Sequence, residues 1–464
     1  MPVTVTQQGT RVPYNDSQQL WNVVEGEQSG AGRRWAMSML RCPVLRFRAC
    51  RLPFKSLVVS LVALLLVYGA LLMDQAQSPG KPSWLEFKTC SPRNNIAFLK
   101  THKCASSAIQ NILLRYGDNH DLNFALPNVA NYFGSGRRIF EAGMVWSSPF
   151  NKVTPNIFAI HTKWNYEEVK KVMPEDTVYF TIVREPMALF RSLFDYSNIG
   201  EKAGGLTLDE YVKQNPIDTK RTLGYLGYNQ MTWDLGTPLQ DMSNLTVAHE
   251  LVQRTDAQFG LVLVAERMDE SLVLLAKYLC WELRDVLVLK VNSLRDEFKS
   301  SISEESRKAL QQRLAPDYLL YNHFLERFDQ QVEAFGRRRM AAEVARLREL
   351  MALLVTTCNF VRKEASDLTG RQKPWSNKVD GFQVGETAGG CAPYAFGELY
   401  FLDVLRKKQQ KYIAKKFGLP PGPPMGAIPL GAQEIKELNP KRAQRFPSDE
   451  KRKGGKLSTV RGQG

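Results

Sequence analysis

A short basic and hydroxyl-rich segment, residues 100–107, combines the residue types that bind phosphate groups. It reads KTHKCASS, continues the apolar run NIAFLK, and leads into AIQNILLRYG, whose apolar residues have helical spacing. The beginning of a helix offers free backbone N–H groups and the positive end of its dipole to an anion. The candidate anion-binding side chains of the segment are Lys100, Thr101, Lys103, Ser106 and Ser107.

This segment differs from the P-loop of nucleotide-hydrolysing enzymes. That motif reads G-x-x-x-x-G-K-[ST], whereas residues 100–107 contain no glycine, and Lys103 stands directly before Cys104. Mg²⁺-dependent phosphoryl transfer is therefore disfavoured. Taken alone, the segment is also consistent with a basic strand-to-helix connection that serine caps. The sequence has no CxxC pair, HExxH motif or clustered carboxylates, so we expect no structural or catalytic metal.

Arg184 occupies a second strand-to-helix junction. It follows the buried-strand pattern DTVYFTIV and precedes Pro186, which suits the first turn of the helix MALFRSLFDY. Ser192 lies eight residues later, on that helix. A guanidinium offers bidentate donors to a phosphate, and a hydroxyl adds another. Taken alone, Arg184 is more consistent with an ordinary ion pair at the end of a strand, for example with Glu185.

Two histidines are candidates for a general base. His161 ends the predicted strand PNIFAIH, and His102 lies inside the basic segment. Imidazole titrates near neutral pH and can remove a proton from an attacking hydroxyl. A single histidine at the end of a strand is more often a hydrogen-bonded structural residue. On residue type and position alone, a structural role is favoured for His161, and His102 is the competing candidate for the base.

The elements that carry these residues predict an α/β fold. The first two strands are each followed by a helix, a third strand ends at His161, and LVLVAERMDESLVLLAKYLCWEL adds another strand and helix. Such alternation is typical of a parallel β-sheet flanked by helices. The first helix is expected to end at Gly117, and Arg327 to Leu354 to form one long helical stretch.

Charge and hydropathy place the chain at a membrane. The net charge of +15 is concentrated in residues 1–55 (+5) and 405–464 (+11), which leaves −1 for residues 56–404 and argues against a nucleic-acid partner. Residues 56–73 carry no charge over 18 residues, about 27 Å of helix. Basic residues precede this segment and Asp74 follows it, so the positive-inside rule predicts a single-pass type II signal-anchor. A cleaved signal peptide is the alternative, and the short span favours a Golgi address.

The predicted organisation has five parts. They are a cytoplasmic tail (1–55), a transmembrane signal-anchor (56–73), a stem (74–89), a lumenal catalytic domain (90–418) and a disordered basic tail (419–464).

Cysteines and a glycosylation motif agree with a lumenal domain. If the buried loop residue Cys104 is free, the four other lumenal cysteines can form two disulfides in three ways. The sequon that begins at Asn244 is the lumenal candidate for a glycan. The sequence is also compatible with a homo-oligomer.

The text FLKTHKCASSAIQNILLRYG resembles the 5′-phosphosulfate-binding loop of the galactose-3-O-sulfotransferases of the Golgi. Further segments resemble this family in the same order along the chain, over roughly residues 90–348. These segments are HDLNFALPN, TIVREPMALFRSLFDY, WDLG, MDESLVLLAKYLCWELRDVLVLKVN and VEAFGRRRMAAEVARLR.

The resemblance implies a P-loop-like sulfotransferase fold and 3′-phosphoadenosine 5′-phosphosulfate (PAPS) as the donor. It implies that Lys103 contacts the bridging oxygen of the phosphosulfate, that Arg184 and Ser192 bind the 3′-phosphate, and that His161 is the base. The acceptor would be the 3-OH of galactose on a glycolipid such as galactosylceramide, or on β-galactosyl ends of glycoprotein glycans. Cys104 and Ala105 replace the threonine and small residue, often glycine, that are common in the family. An inactive binding or scaffold member is therefore a second alternative.

Overall fold

The computed structural model describes residues 90–215, 221–289, 295–374, 376–385 and 390–418. The predicted cytoplasmic tail, signal-anchor and stem, and the predicted basic tail, lie outside these residues. Within the described ranges, no helix has both the length and the apolar character that crossing a bilayer requires.

The core of the fold is a parallel four-stranded sheet with the order β2-β1-β3-β4. Its strands are β1 (Ile96–Leu99), β2 (Ile157–Phe158), β3 (Val178–Val183) and β4 (Leu261–Val264). These strands are buried almost throughout, as a parallel sheet that helices cover must be. The sequence prediction of a parallel sheet flanked by helices is therefore confirmed.

Helices connect and flank these strands. The α-helices of the described ranges are α1 (Ser106–Asn119), α2 (Gly143–Trp146), α3 (Tyr166–Lys170), α4 (Pro186–Tyr196), α5 (Ile199–Lys202), α6 (Leu208–Gln214), α7 (Gln230–Asp234), α8 (Leu245–Gln258), α9 (Met268–Leu279), α10 (Glu304–Arg313), α11 (Ala315–Phe335), α12 (Arg337–Thr357) and α13 (Glu398–Phe417). Short 3-10 helices span Gly134–Gly136, Leu239–Asp241, Ala265–Arg267, Leu283–Val286, Asp296–Phe298, Ala365–Asp367, Gly370–Gln372 and Ala392–Ala395. Strands β5 (Val361–Glu364) and β6 (Asp380–Gln383) form a separate antiparallel pair.

Two expected helix boundaries are wrong. Helix α1 continues through Gly117 to Asn119, and a side chain at Gly117 would lie 2.5 Å from the ring of Phe124. The glycine therefore permits close packing and does not end the helix. The single long helix expected from Arg327 to Leu354 is two helices, because Gly336 adopts a φ of 96° between α11 and α12.

Two disulfides resolve the pairing that the sequence left open. Cys90 bonds to Cys280, and Cys358 bonds to Cys391, while Cys104 is free and buried. The second bond closes the segment that contains β5 and β6 and that leads into α13. Helix α13 then packs against α1, so the C-terminal part of the described chain returns to the first strand-loop-helix unit.

Candidate active site

The candidate site lies at the carboxyl ends of the central strands. Chain order reverses around β1, because β2 pairs on one side of it and β3 on the other. Such a reversal leaves a crevice at the carboxyl ends of parallel strands, where open α/β sheets bind ligands. The loop after β1 carries Lys100 to Ala105, and Arg184 directly follows β3.

The loop after β1 turns sharply without glycine. Lys103 and Ala105 both adopt left-handed backbone angles, with φ of 57° at each. A non-glycine residue in this region costs free energy and persists where the surroundings fix it, often at a functional site. Two hydroxyls brace the loop: Thr101 donates to the carbonyl of Ile182 at 2.7 Å, and Ser106 donates to the carbonyl of Thr101 at 2.5 Å.

Lys100 and His161 are in direct contact beneath this loop. The Lys100 Nζ lies 2.9 Å from His161 Nε2, and His161 Nδ1 donates to the Lys100 carbonyl at 2.8 Å. The Nε2 lone pair therefore accepts from the ammonium. Burial, followed by the charge of Lys100, holds the pKa of His161 well below its ordinary value.

Glu398, the first residue of α13, completes this contact. Its Oε1 accepts from Lys100 Nζ at 2.7 Å and from Asn131 Nδ2 at 2.8 Å. Burial lowers the pKa of Lys100, and the carboxylate of Glu398 acts against that shift. The carboxylate thus neutralises a buried ammonium and fixes its position against the imidazole of His161.

His102 is oriented by a carboxylate of its own. Its backbone N–H donates to Asp234 Oδ2 at 2.7 Å, and its Nδ1 donates to Asp234 Oδ1 at 2.8 Å. The Nε2 atom, which then carries the lone pair, accepts from the Tyr132 hydroxyl at 2.9 Å. The rings of His102 and His161 are stacked with centroids 4.3 Å apart, so both candidate bases lie at one place. An imidazole with one nitrogen bonded to a buried carboxylate has the geometry of a general base.

Lys103 and Arg184 form the positive part of the site. Arg184 Nη1 donates to the Lys103 carbonyl at 2.7 Å, and the Lys103 Nζ lies 3.2 Å from the centroid of the Tyr196 ring. Within the described residues, the ammonium of Lys103 has neither a hydrogen bond nor an ion pair. Burial, and then the charge of Arg184, lowers the pKa of Lys103 to about 7. An anion bound here would counter both effects.

Two further hydroxyls were predicted to bind phosphate. Ser107 is half-buried in the first turn of α1, and Ser192 is half-buried on α4. No hydrogen bond among the described residues joins either hydroxyl to the cluster of lysines and histidines. The hydroxyl hydrogens of Thr101 and Ser106 are used within the protein, so these two residues fix the shape of the loop. Their roles as donors to a ligand stay predictions.

Comparison with known proteins agrees with this geometry. Residues 29–389 match the galactose-3-O-sulfotransferase family. The chain belongs to this family. It is 37% identical to human galactosylceramide sulfotransferase over 277 residues, which are 58% of this chain and 65% of that protein, just under two thirds of its length. It is 32% identical to mouse galactose-3-O-sulfotransferase 3 over 342 residues, which are 68% of this chain and 78% of that protein.

The loop after β1 departs at Cys104 and Ala105 from the pattern that the family resemblance implies, and the structure shows how the loop accommodates both residues. The Cys104 side chain is fully buried, and its Sγ donates to the His102 carbonyl at 3.3 Å. Burial raises the pKa of this thiol, so it is protonated at neutral pH. Ala105 is exposed and takes the left-handed conformation that glycine adopts more easily.

Sequence reasoning missed three residues of this site: Asp234, Tyr132 and Glu398. Asp234 lies in the segment WDLG, which carried the family resemblance but no assigned role. A carboxylate next to tryptophan in that segment was the available signal. Tyr132 and Glu398 had no such signal in the sequence. Glu398, for example, is 298 residues from the lysine that it contacts.

The remaining predicted positions lie away from the cluster. Asn244 is exposed at the beginning of α8, where its Oδ1 accepts from the backbone N–H of Thr246 at 3.0 Å. Its glycosylation stays a prediction. Within the described ranges, no group of three or more histidine, cysteine or acidic side chains has the geometry of a metal site.

Proposed function

We propose that this chain transfers the sulfuryl group of PAPS to the 3-OH of a galactose residue. One observation carries the proposal: two histidines and two lysines, Lys100, His102, Lys103 and His161, converge at the carboxyl end of β1. Membership of the galactose-3-O-sulfotransferase family supports the same reaction.

The donor side of the site has the residues that an anionic donor requires. The ammonium of Lys103 has no anionic partner among the described residues, and Arg184 stands beside its backbone. PAPS would supply the sulfuryl group and an anionic leaving group. Lys103 would neutralise the charge that develops on that leaving group, while Arg184 and Ser192 would hold the 3′-phosphate, as the family resemblance implies. The first turn of α1 adds backbone N–H groups.

A base must remove the proton of the acceptor hydroxyl. The geometry supports His102 as this base, whereas the family resemblance implied His161. Asp234 fixes the tautomer of His102 and would stabilise the imidazolium that forms. The Nε2 of His161 already accepts from a buried ammonium, and the pKa of this histidine is low. Our proposal therefore assigns the base to His102, and keeps His161 as the competing candidate that positions Lys100.

The acceptor class and the cellular address are part of the proposal. The identity to human galactosylceramide sulfotransferase supports a glycolipid acceptor. The β-galactosyl ends of glycoprotein glycans are the alternative acceptor. The two disulfides support an oxidising compartment, and the apolar segment 56–73 supports a Golgi membrane anchor.

Transfer of labelled sulfate from PAPS tests the reaction. The full-length chain in detergent would be offered galactosylceramide, lactosylceramide and a β-galactosyl glycoprotein glycan side by side. We expect label on a galactose acceptor, with the preferred acceptor identifying the class. No label on any of them, despite binding of 3′,5′-bisphosphoadenosine, would favour the inactive family member.

Substitution of single histidines tests the choice of base. His102→Ala and His161→Ala would be compared with His323→Ala, which removes an exposed histidine 3.1 Å from Asp256. We expect roughly 10²-fold or greater loss of kcat for His102→Ala, no loss for the control, and a smaller loss for His161→Ala. The reverse order of the two site variants would return the base to His161.

A further inference from the structure

A buried lysine next to the candidate site lacks the partner that its charge requires. Lys163 is 7% exposed, and its Nζ lies 3.6 Å from the centroid of the Trp233 ring. Within the described part of the chain, this ammonium makes no hydrogen bond and no ion pair. A buried charge without a partner costs several kcal/mol in general, so proteins seldom keep one unless a ligand completes it.

The surroundings of Lys163 are positive. The guanidinium of Arg221, a residue 4% exposed, lies 4.6 Å from the centroid of the same indole ring. Burial, and then the charge of Arg221, lowers the pKa of Lys163 to about 8. Asp234 is the nearby carboxylate, but its oxygens already accept from His102 and from Gln230 Nε2 at 2.9 Å. The missing partner is therefore an anion.

The position of Lys163 points to the acceptor side of the site. Trp233 directly precedes Asp234, which holds the proposed base His102. Lys103, on the donor side, instead contacts the ring of Tyr196. The carboxylate of Asp234 therefore acts on both Lys163 and His102, whereas the phosphates of the donor belong with Lys103 and Arg184.

We propose that Lys163 is an oxyanion subsite for an acidic substituent, a carboxylate or a sulfate ester, on the galactose-bearing acceptor. This inference rests on the proposed sulfotransferase function. An ammonium can form a charge-assisted hydrogen bond to either oxyanion, and the indole of Trp233 keeps water from one side of it. The subsite would select acidic galactosides over neutral ones without taking part in the transfer of the sulfuryl group.

Two acceptors that differ only in charge test this subsite. Lactitol and lactobionate are both β-galactosides with an open-chain second residue, and lactobionate has a carboxylate where lactitol has a hydroxymethyl group. We expect the wild-type chain to use lactobionate with a kcat/KM roughly tenfold higher. Lys163→Met should remove this preference and leave the kcat/KM for lactitol unchanged. Lys163→Arg, which retains the charge, should keep part of it.

Lys170→Met is the matched control, because Lys170 also lies over an aromatic ring, 5.3 Å from the centroid of Tyr166, but is half exposed. It should keep the preference. An equal loss for both acceptors in Lys163→Met, or no preference in the wild type, would overturn the acceptor subsite. Lys163→Met should also melt no lower than the wild type, because it removes an unpaired buried charge.

Inorganic sulfate separates the two sources of the oxyanion and does not depend on turnover. We expect sulfate to raise the melting temperature of the wild type and of Lys170→Met more than that of Lys163→Met, and to compete with lactobionate more than with lactitol. Equal shifts in all three chains would overturn the oxyanion site. If sulfate raised the melting temperature in this way but the wild type showed no preference for lactobionate, the site at Lys163 would bind only free anions, and its assignment to the acceptor would be overturned. If no acceptor were sulfated at all, the proposed function would be contradicted. The melting experiment would still measure whether Lys163 binds an oxyanion.

Discussion

The two sides of the candidate site treat their charges in opposite ways. On one side, Glu398 neutralises Lys100 and Asp234 orients His102, each through contacts shorter than 3 Å. On the other side, the ammonium of Lys103 lies over the ring of Tyr196 and has no carboxylate partner among the described residues, and Arg184 donates to the backbone carbonyl of Lys103. Arg184 makes one long ion pair, in which its Nε lies 3.9 Å from Glu266 Oε1.

This difference indicates what each side is for. Charges that are already paired have fixed positions and fixed protonation, which a base and its neighbours require. The ammonium of Lys103, which has no carboxylate partner among the described residues, and the guanidinium of Arg184, whose contact with Glu266 is long, are available to an anionic ligand. Substitutions on the side of Lys103 and Arg184, the open side, should therefore affect the transfer directly. On the side of Lys100 and His102, the paired side, substitutions of the carboxylates Asp234 and Glu398 should act through the position of His102 or Lys100.

The largest effect should come from the open side. Lys103→Ala removes the ammonium that faces the leaving group, so we expect kcat to fall by roughly 10²–10³-fold without loss of folding. Steady-state kinetics with PAPS and a melting curve measure the two properties. Unchanged turnover in a folded Lys103→Ala chain would contradict the phosphosulfate assignment.

The pH dependence of donor binding gives a control for this effect. Because the pKa of Lys103 in the chain is about 7, its ammonium loses its proton as the pH rises above 7, and the KM for PAPS should increase. Lys103→Arg keeps its charge in this range and should show a flatter profile. If both chains gave the same profile, another group would control donor binding.

A smaller effect is expected from the paired side at Asp234. Asp234→Asn removes the carboxylate that holds the Nδ1 hydrogen of His102, so part of the histidine would adopt the wrong tautomer. We expect kcat to fall roughly 10²-fold while the KM for PAPS changes little. Asp256→Asn, which alters the exposed pair with His323, is the control. An increase in the KM for PAPS with unchanged kcat would place Asp234 on the donor side.

Glu398 should have a still smaller effect, because it acts through Lys100. Glu398→Gln keeps the size of the side chain but removes the charge that raises the pKa of Lys100. The pKa of Lys100 should therefore fall further, and activity that depends on its ammonium should be lost at lower pH than in the wild type. We expect roughly tenfold lower kcat at neutral pH, and an alkaline limb displaced to lower pH.

A suitable control for Glu398→Gln is Glu304→Gln, which removes an exposed carboxylate from the first turn of α10. It tests whether loss of a helix N-terminal charge alone changes activity. If Glu398→Gln lost the same kcat without any shift of its pH profile, Glu398 would pack α13 and would not control the pKa of Lys100.

The contrast between the two sides also explains what the sequence could predict. Residues of the open side lie in the segments that directly follow β1 and β3, so local patterns of strand, loop and helix identified Lys103 and Arg184. The paired side is built from distant segments. Glu398 reaches Lys100 only because α13 packs on α1, and no local pattern reports such a return of the chain.

Local patterns also failed where packing decides the structure. Gly117 has the sequence features of a helix end, but the ring of Phe124 occupies the space of a side chain there. Gly336 has the features of a helix interior, yet its backbone angle separates two helices. Both positions depend on neighbours or on a backbone conformation that residue type alone does not specify.

The smallest effect is expected at Cys104, where the loop departs from the family. Its side chain is buried, and its Sγ donates to the carbonyl of His102. A threonine hydroxyl could donate to the same carbonyl, so Cys104→Thr should change kcat/KM less than about threefold. Because burial keeps the thiol protonated, the native chain should also resist alkylation at this residue. A large gain in activity for Cys104→Thr, or rapid alkylation with loss of turnover, would show that this departure weakens the open side of the site.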